Sequence, residues 1–496
     1  MTTLTLPANS NQARGLAQYA LDFVHGNYEP DAAALALVEK FHLDSVGCAW
    51  AALAIGANAP RVLRDEALSY PVGDARPGAY CFGSTLRVPP EKAVVANSAA
   101  VRELDANGTN FGYNPTAGAI AGEFGHNDFY PVAVAGAQVA GSNGRKLLLA
   151  MLCLDEIRGR LAEVFSLKSY KIDHVVHGAI ASAAVYGALM GLTVEQIESA
   201  IGMVVAHYVP FRAIRHGEQL SDSKGASAAM SAELAVLSVQ RAMRGFVGPA
   251  DIFRNPQAIF CLFQKPKQSH NSPFDLTLTT SGSEFAVQGM HFKLGLYEHQ
   301  SAGAIQGLID LLAGCPALLR DPAELRSIRI TIYEPAYSII GDPAKRDPRT
   351  RQSADHSLVY IIATLLRKAI EKQTASWLDL MLLPDDYDLP ALHQTLTRQL
   401  MRRIEFVPGG PSYDALYPDG IPTTVEIEHA RLGRLSSGLI KYPAGHARCV
   451  NFDWQPILDE KFVRFTRIAG LDAAALRSRL SNLVEKTPAE VRDLYL

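Results

Sequence analysis

A mainly α protein, with a large all-helical domain and a smaller α+β domain, is the fold the sequence predicts. Three observations carry it. From about Asp31 to Val247, apolar residues recur at three- and four-residue intervals, and alanine is dense among them. At residues 264 to 275 the stretch QKPKQSHNSPFD gathers two prolines with Ser, Asn and Lys, the composition of a linker. Beyond it, strand-like alternation appears in force for the first time.

Each element follows from its pattern. ALALVEKFHLDSVGCAWAALA, EKAVVANSAAVREL, HGAIASAAVYGALMGL and SKGASAAMSAELAVLSVQRAMRGF are helical in period, and their small residues favour close helix–helix contact. TVEQIESAIGMVVA opens with Thr193 and carries Gln196 three residues later, a capping box. In the second part, SIRITIYE sets Ile328, Ile330 and Ile332 on one face of a strand, and TTVEIEHA does the same with Val425 and Ile427. Two helices, HQSAGAIQGLIDLLAG and SLVYIIATLLRKAIEK, accompany them. LDEKFVRFTRIAGLDAAALRSRLSNLVEK returns to helical period and is expected to pack back on the first domain. The division expected is residues 1–268 helical, 269–449 α+β, and 450–496 C-terminal helices returning to the helical domain.

Bulk properties narrow the function. At 496 residues the chain is long enough for two or three domains and a cleft between them. With 20% charged residues, 48% apolar residues and a formal net charge of −3, it has no polyanion-binding signature, and nucleic acid is not an expected partner. The six cysteines have no metal-site spacing and read as buried, reduced residues. No apolar run of membrane-spanning length and no signal-peptide pattern occurs, so a cytoplasmic protein without a membrane partner is expected. There is no G-x-G-x-x-G after a strand, no Walker loop and no G-x-S-x-G elbow.

Five places concentrate polar groups in apolar surroundings. RELDANGTN ends a helix, where Asn107-Gly108 would ordinarily be a left-handed cap. FGHNDFYP offers His126, with Asp128 readable as a helix cap. KIDHVVHGAIASAA sets His174 and His177 at a helix start, where the dipole lowers imidazole pKa values; a metal pair there lacks the other ligands it would need. IRHGEQLSDSKGASAA places Lys224 at a helix N-terminus, a position that makes sense when an anion shares it, with a solvated loop lysine as the ordinary reading. MHFKLGLYEHQSAGAI brings Lys293 and His299, and SADHSLVY brings Asp355, His356 and Tyr360, where Ser357 or Asp355 would cap a helix.

In this order the motifs LDSVGCAWA (43–51), NSAAVRELDANGT (97–109), DHVVHGAIASAA (173–184), GLTVEQI (191–197), GEQLSDSKGASAA (217–229), FKLGLYEHQ (292–300) and DPRTRQSADHSLVY (347–360) span most of the chain. The chain resembles the MmgE/PrpD family, which includes 2-methylcitrate dehydratase, cis-aconitate decarboxylase and an iminodisuccinate epimerase. The run T-R-x-x-A-D-H-S-x-x-Y is most similar to the methylcitrate-dehydratase branch. The resemblance implies a helical domain built from both chain ends, an inserted α+β domain and a homodimer. It also implies a cofactor-free cleft lined by Asp105, His126, His174, Lys224, His299 and Tyr360. Three departures fall near that cleft: Gly108 where a second carboxylate is common, Ser223 where an aromatic commonly precedes the lysine, and the Gly/Ala-rich NFGYNPTAGAIAGEFG.

Reactions of this group pass through a carbanion or enolate-like species beside a carboxylate, so the site must take a weakly acidic proton and stabilise the charge. Lys224 and Arg215 are the expected anion clamp, and His174, His299 and Tyr360 the expected acid–base set. Asp105, His126, Arg215 and His356 are expected substrate contacts, with Asp355 and His356 as an orienting pair. The expectation is a hydro-lyase for 2-methylcitrate or a related di- or tricarboxylate, using no cofactor and no metal. A decarboxylase or isomerase of an aconitate-like acid, or a non-catalytic carboxylate-binding homologue, are the alternatives.

Overall fold

The small-residue helices pack as their composition demands. In the computed structural model, which describes residues 2–73, 76–114, 123–217 and 219–496, helix Val175–Leu189 has every side chain buried. It lies among helices Gly144–Val164, Val194–His207 and Ser223–Met243. Alanine and glycine on its surface let those neighbours approach without a polar face to spare. The capping box forms: Gln196 N donates to Thr193 Oγ1 at 3.3 Å and Thr193 N to Gln196 Oε1 at 3.0 Å. Half of the Gly/Ala-rich stretch after Thr109, residues 115–122, and Glu218 in the lysine motif lie outside the described residues.

Short strands precede the linker, and the first of them pairs across it. Thr3–Leu6 pairs antiparallel with Leu276–Thr279, with Leu6 opposite Leu276. Four residues carry too little period to announce themselves, and this strand exists because its partner lies just past the linker.

The second domain is built on a four-stranded sheet ordered Ile404–Pro408, Leu325–Ile332, Thr423–His429, Gly433–Ser436. Its first pair is parallel and the others antiparallel. Ile330 faces Val425 and Ile328 faces Ile427, so the alternation seen in the sequence becomes the buried face. Helix Ala302–Gly314 covers that face. Gly303 permits the close approach, because a Cβ there would meet Thr423 Oγ1 at 2.5 Å and Ile421 O at 2.7 Å. This contact fixes the helix start and therefore His299 just before it.

The C-terminal helix Gln455–Ile468 packs on Ala32–Ala54, where Lys461 Nζ donates to Asp44 Oδ1 at 2.7 Å. Cys48, Cys81 and Cys153 are buried, whereas Cys261, Cys315 and Cys449 are only half-buried. Among the described residues no single helix is long and apolar enough to cross a membrane.

A buried ion network as candidate active site

Helix Pro90–Arg102 delivers Asp105 to the centre of a network that joins both domains. Its carboxylate accepts from Arg102 Nη1 at 2.6 Å and from Lys293 Nζ, which also donates to the Asp105 carbonyl at 2.9 Å. The second oxygen lies 3.2 Å from His356 Nε2 and 3.6 Å from Lys224 Nζ. Burial would raise the Asp105 pKa, but Arg102, Lys293, His356 and Lys224 overcome that and hold it well below the usual carboxylate range. The left-handed residue of this turn is Asp105 itself, with φ 49°, in place of the expected Asn107-Gly108 cap. Its carbonyl and carboxylate are both held by Lys293, which fixes that backbone. Gly108 has a packing reason: a Cβ there would meet Asn127 Oδ1 and, at 2.5 Å, the Phe41 ring. No carboxylate side chain fits at that position.

Lys224, second residue of helix Ser223–Met243, does share its place with an anion, and the anion belongs to the protein. Its Nζ donates to Asp355 Oδ1 at 2.7 Å. Arg351 Nη1 lies 3.2 Å from Asp355 Oδ2, and the same guanidinium grips Glu103. His356 Nδ1 lies 2.7 Å from Asp355 Oδ1, so the ring, with Nε2 facing Asp105, bridges the two carboxylates. Burial and the charge of Lys224 push the His356 pKa down to about 3, so the ring is neutral at ordinary pH. Asp355 and His356 thus lie in contact with each other inside the network, while Ser357 caps helix Leu358–Lys372.

The helical domain contributes His126 and His174, whose ring centroids are 5.6 Å apart. Arg102 Nη2 lies 3.3 Å from His126 Nε2, and because a guanidinium only donates, that nitrogen carries the lone pair. His174 is buried with no hydrogen-bond partner on either nitrogen among the described residues, and its Nδ1 is 3.5 Å from Asp173 Oδ1. Asp173 is gripped by Arg215, whose Nη2 donates to it at 3.2 Å. Burial, ahead of the cations Arg215, Arg102 and Arg212, holds the His174 pKa well below the imidazole range. His177 is pushed down to about 3 by burial alone and has none of these charged neighbours. Burial, then, does the work that the sequence reading gave to the helix dipole. Asp128 is no cap: it accepts from Asn107 Nδ2 at 2.6 Å and lies 3.6 Å from Arg102 Nε.

From the second domain comes His299, buried, without a hydrogen-bond partner on either nitrogen among the described residues, and 4.8 Å from the His291 ring. Burial and Lys293 lower its pKa to about 3, against the pull of Asp105. Its neighbour Glu298 is raised to about 7 by burial and the charge of Asp105. Tyr360 is not brought to this cluster. Its hydroxyl donates to the Asp386 carbonyl at 2.6 Å, its ring lies 5.6 Å from Tyr387, and its charged neighbours are Asp386, Arg367 and Arg398. One helical turn past Ser357, it points into the core of its own domain.

The sequence reading named Lys293 without a role and missed Arg102, Glu103 and Arg351. Arg102 and Asp105 are three residues apart at a helix end, and Arg351 and Asp355 four apart, spacings that place opposite charges together. The buried charges balance: Arg102, Lys293, Lys224 and Arg351 face Asp105, Asp355, Glu103 and Asp128. Asp105, Asp355 and His356 also offer three ligand atoms within 4.8 Å of one another. Lys224 and Lys293 already occupy those carboxylates, and a divalent cation would have to sit against both ammoniums.

Comparison with known proteins places most of the chain beside one family. Residues 14–271 match the MmgE/PrpD N-terminal domain and residues 299–480 the MmgE/PrpD C-terminal domain. The chain is 24% identical over 427 residues to a 2-methylcitrate dehydratase of Salmonella typhi, covering 80% of this chain and 82% of the relative. A 2-methylcitrate dehydratase of Escherichia coli K12 is 24% identical over 425 residues, with the same coverage. One of Cupriavidus necator is 25% identical over 434 residues, covering 80% of this chain and 81% of that protein.

Proposed function

The chain belongs to the MmgE/PrpD family, and from that premise we propose that it is a hydro-lyase that removes water from 2-methylcitrate or a related hydroxy-polycarboxylate. The observation that carries the reading is the pair of buried histidines, His174 and His299, left without partners on either side of a charge-balanced network. An imidazole kept neutral by burial and nearby cations is by itself a weak base. A bound polyanion opposes both effects of those cations and strengthens the base where the substrate needs it.

In this reading His174 takes the proton α to a carboxylate, and Asp173 beside it stabilises the imidazolium. The C–H electron pair becomes the new C=C bond as the C–O bond breaks. The hydroxyl leaves as water with a proton given by His299, which takes up that proton once the bound polyanion raises its pKa, so that His299 ends neutral and His174 protonated. Lys224 and Arg102 face the carboxylate on which charge accumulates. Tyr360 has no part, since its hydroxyl is already engaged.

Purified protein incubated with 2-methylcitrate, citrate and other tricarboxylates should generate the ultraviolet absorbance of a conjugated alkene. His174→Gln and His299→Gln should each lower kcat by about 100- to 10,000-fold, the usual range for general acid–base groups. Carbon dioxide release in place of alkene would establish the decarboxylase alternative, and neither signal would sink the enzymatic reading. Exhaustive chelation should leave turnover unchanged; activity lost and restored by one metal would move the reaction onto the Asp105, Asp355 and His356 donor set.

A further inference from the structure

Asp105 and Lys293, the pair at the centre of the network, lie on chain segments that are joined at two further places. One is an antiparallel bridge just beyond them, where Thr109 N donates to His291 O at 2.9 Å and His291 N to Thr109 O at 2.8 Å. The other is an ammonium from near the end of the chain. Lys461, fully buried on helix Gln455–Ile468, donates to Ala106 O at 2.5 Å, to Lys293 O at 2.8 Å and to Asp44 Oδ1 at 2.7 Å. Ala106 directly follows Asp105, so one ammonium holds the main chain beside both members of the pair.

These three acceptors use every N–H of the ammonium. Among the described residues no other donor reaches either carbonyl, and both belong to fully buried residues. Stability alone is a poor reason for the arrangement, because a buried ion pair such as Lys461 with Asp44 roughly offsets its own desolvation and apolar side chains would fill the space as well. Asp44, on helix Ala32–Ala54, takes only one of the three donations. What the ammonium adds is a fixed separation between two carbonyls. That separation reaches the site: Lys293 Nζ donates to both the carbonyl and the carboxylate of Asp105, whose second oxygen faces His356 and Lys224.

We propose that Lys461 is a positioning residue for the reaction, bracing the Ala106 and Lys293 carbonyls so that the Asp105 carboxylate, and through it Lys224, is held where the substrate needs it. The kinetic consequence rests on the hydro-lyase reading, whereas the brace itself is a property of the fold. Lys461 acts through Asp105 and Lys293 alone.

Three variants separate the brace from the ion pair. Lys461→Met removes both, leaves the Asp44 carboxylate buried without its cation, and should melt well below wild type. Asp44→Asn keeps the ammonium and both carbonyl contacts, so it should melt lower while kcat with 2-methylcitrate stays within about threefold. The double variant Asp44→Asn/Lys461→Met has no unpaired charge and should regain most of the lost melting temperature. Its kcat should nevertheless remain about 10- to 100-fold down with KM within about threefold, as expected when reacting groups are misplaced by about 1 Å. Hydrogen–deuterium exchange reads the brace without turnover: in the double variant, residues 103–111 and 289–296 should exchange at least about threefold faster than in wild type, and helix Val175–Leu189 should not. Unchanged exchange in both segments, or a kcat that simply follows melting temperature across the three variants, would overturn the brace. Faster exchange in a protein that forms no alkene would keep the brace and overturn the hydro-lyase reading. Alkene formation with wild-type kcat in the double variant would do the reverse.

Discussion

Asp105→Ala should abolish measurable turnover and destabilise the protein by about 3–5 kcal/mol, the cost of breaking a buried ion pair and leaving charge uncompensated. The reason is its number of partners. Arg102 and Lys293 donate directly to this carboxylate, with Lys224 and His356 close behind, and all but His356 are 2% exposed or less. Removing it leaves ammonium and guanidinium groups facing one another in a space that water does not reach. The turn it occupies, φ 49°, also suits Asp or Asn better than Ala. Asp105→Asn separates the two effects, because it retains the shape and one acceptor but not the charge. It should fold, melt lower than wild type, and lose at least about 100-fold in kcat as Lys224 and Lys293 shift off their positions. An Asp105→Asn protein with wild-type melting temperature and turnover would remove Asp105 from the centre of the site.

Acid should unfold this protein unusually early. His42, His177, His299 and His356 are each pushed down to about 3, and His446 to about 2, mainly by burial, from an ordinary value of 6.5. Between those values the unfolded chain binds protons that the folded chain excludes, so stability present above pH 6.5 is lost as pH falls toward 3. Each such group contributes up to about 1.4 kcal/mol per pH unit, and five of them roughly 7, against a typical total stability of about 5–15 kcal/mol. Glu298, raised to about 7, works in the opposite direction as pH rises from its unfolded value of 4.5 to 7, as do the buried acids Asp44, Glu103, Asp128 and Asp155 that burial also raises, while His126, His174 and His291, lowered by burial too, add to the loss in acid. Melting temperature measured from pH 8 to pH 5 should fall steeply below about pH 6.5. A flat profile down to pH 5 would mean that these imidazoles are solvated in the folded protein.

Much of the architecture was legible because it is periodic. Alanine-rich period near 3.6 specified the helices, and alternation at Ile328, Ile330, Val425 and Ile427 specified the sheet face. Strand Thr3–Leu6 was not legible, since so short a segment is ordered only by a partner far along the chain. At the site, Lys224 stood out because a lysine at a helix start needs an anion, and Asp355 supplies it. Tyr360 was read from its neighbours in sequence, and the turn of helix between Ser357 and Tyr360 rotates it away from them.

The sequence by itself determined the mainly α class, the family likeness, and a set of buried acids, bases and histidines that had to meet somewhere. Only the tertiary structure decided which of them do. It joined Asp105 to Lys293, Lys224 to Asp355 and Arg351 to Glu103. The physical reason is range. Backbone periodicity is a local property written within a few residues, whereas the pairing of charges depends on which side chains share a low-dielectric space after chain ends and two domains have closed on each other.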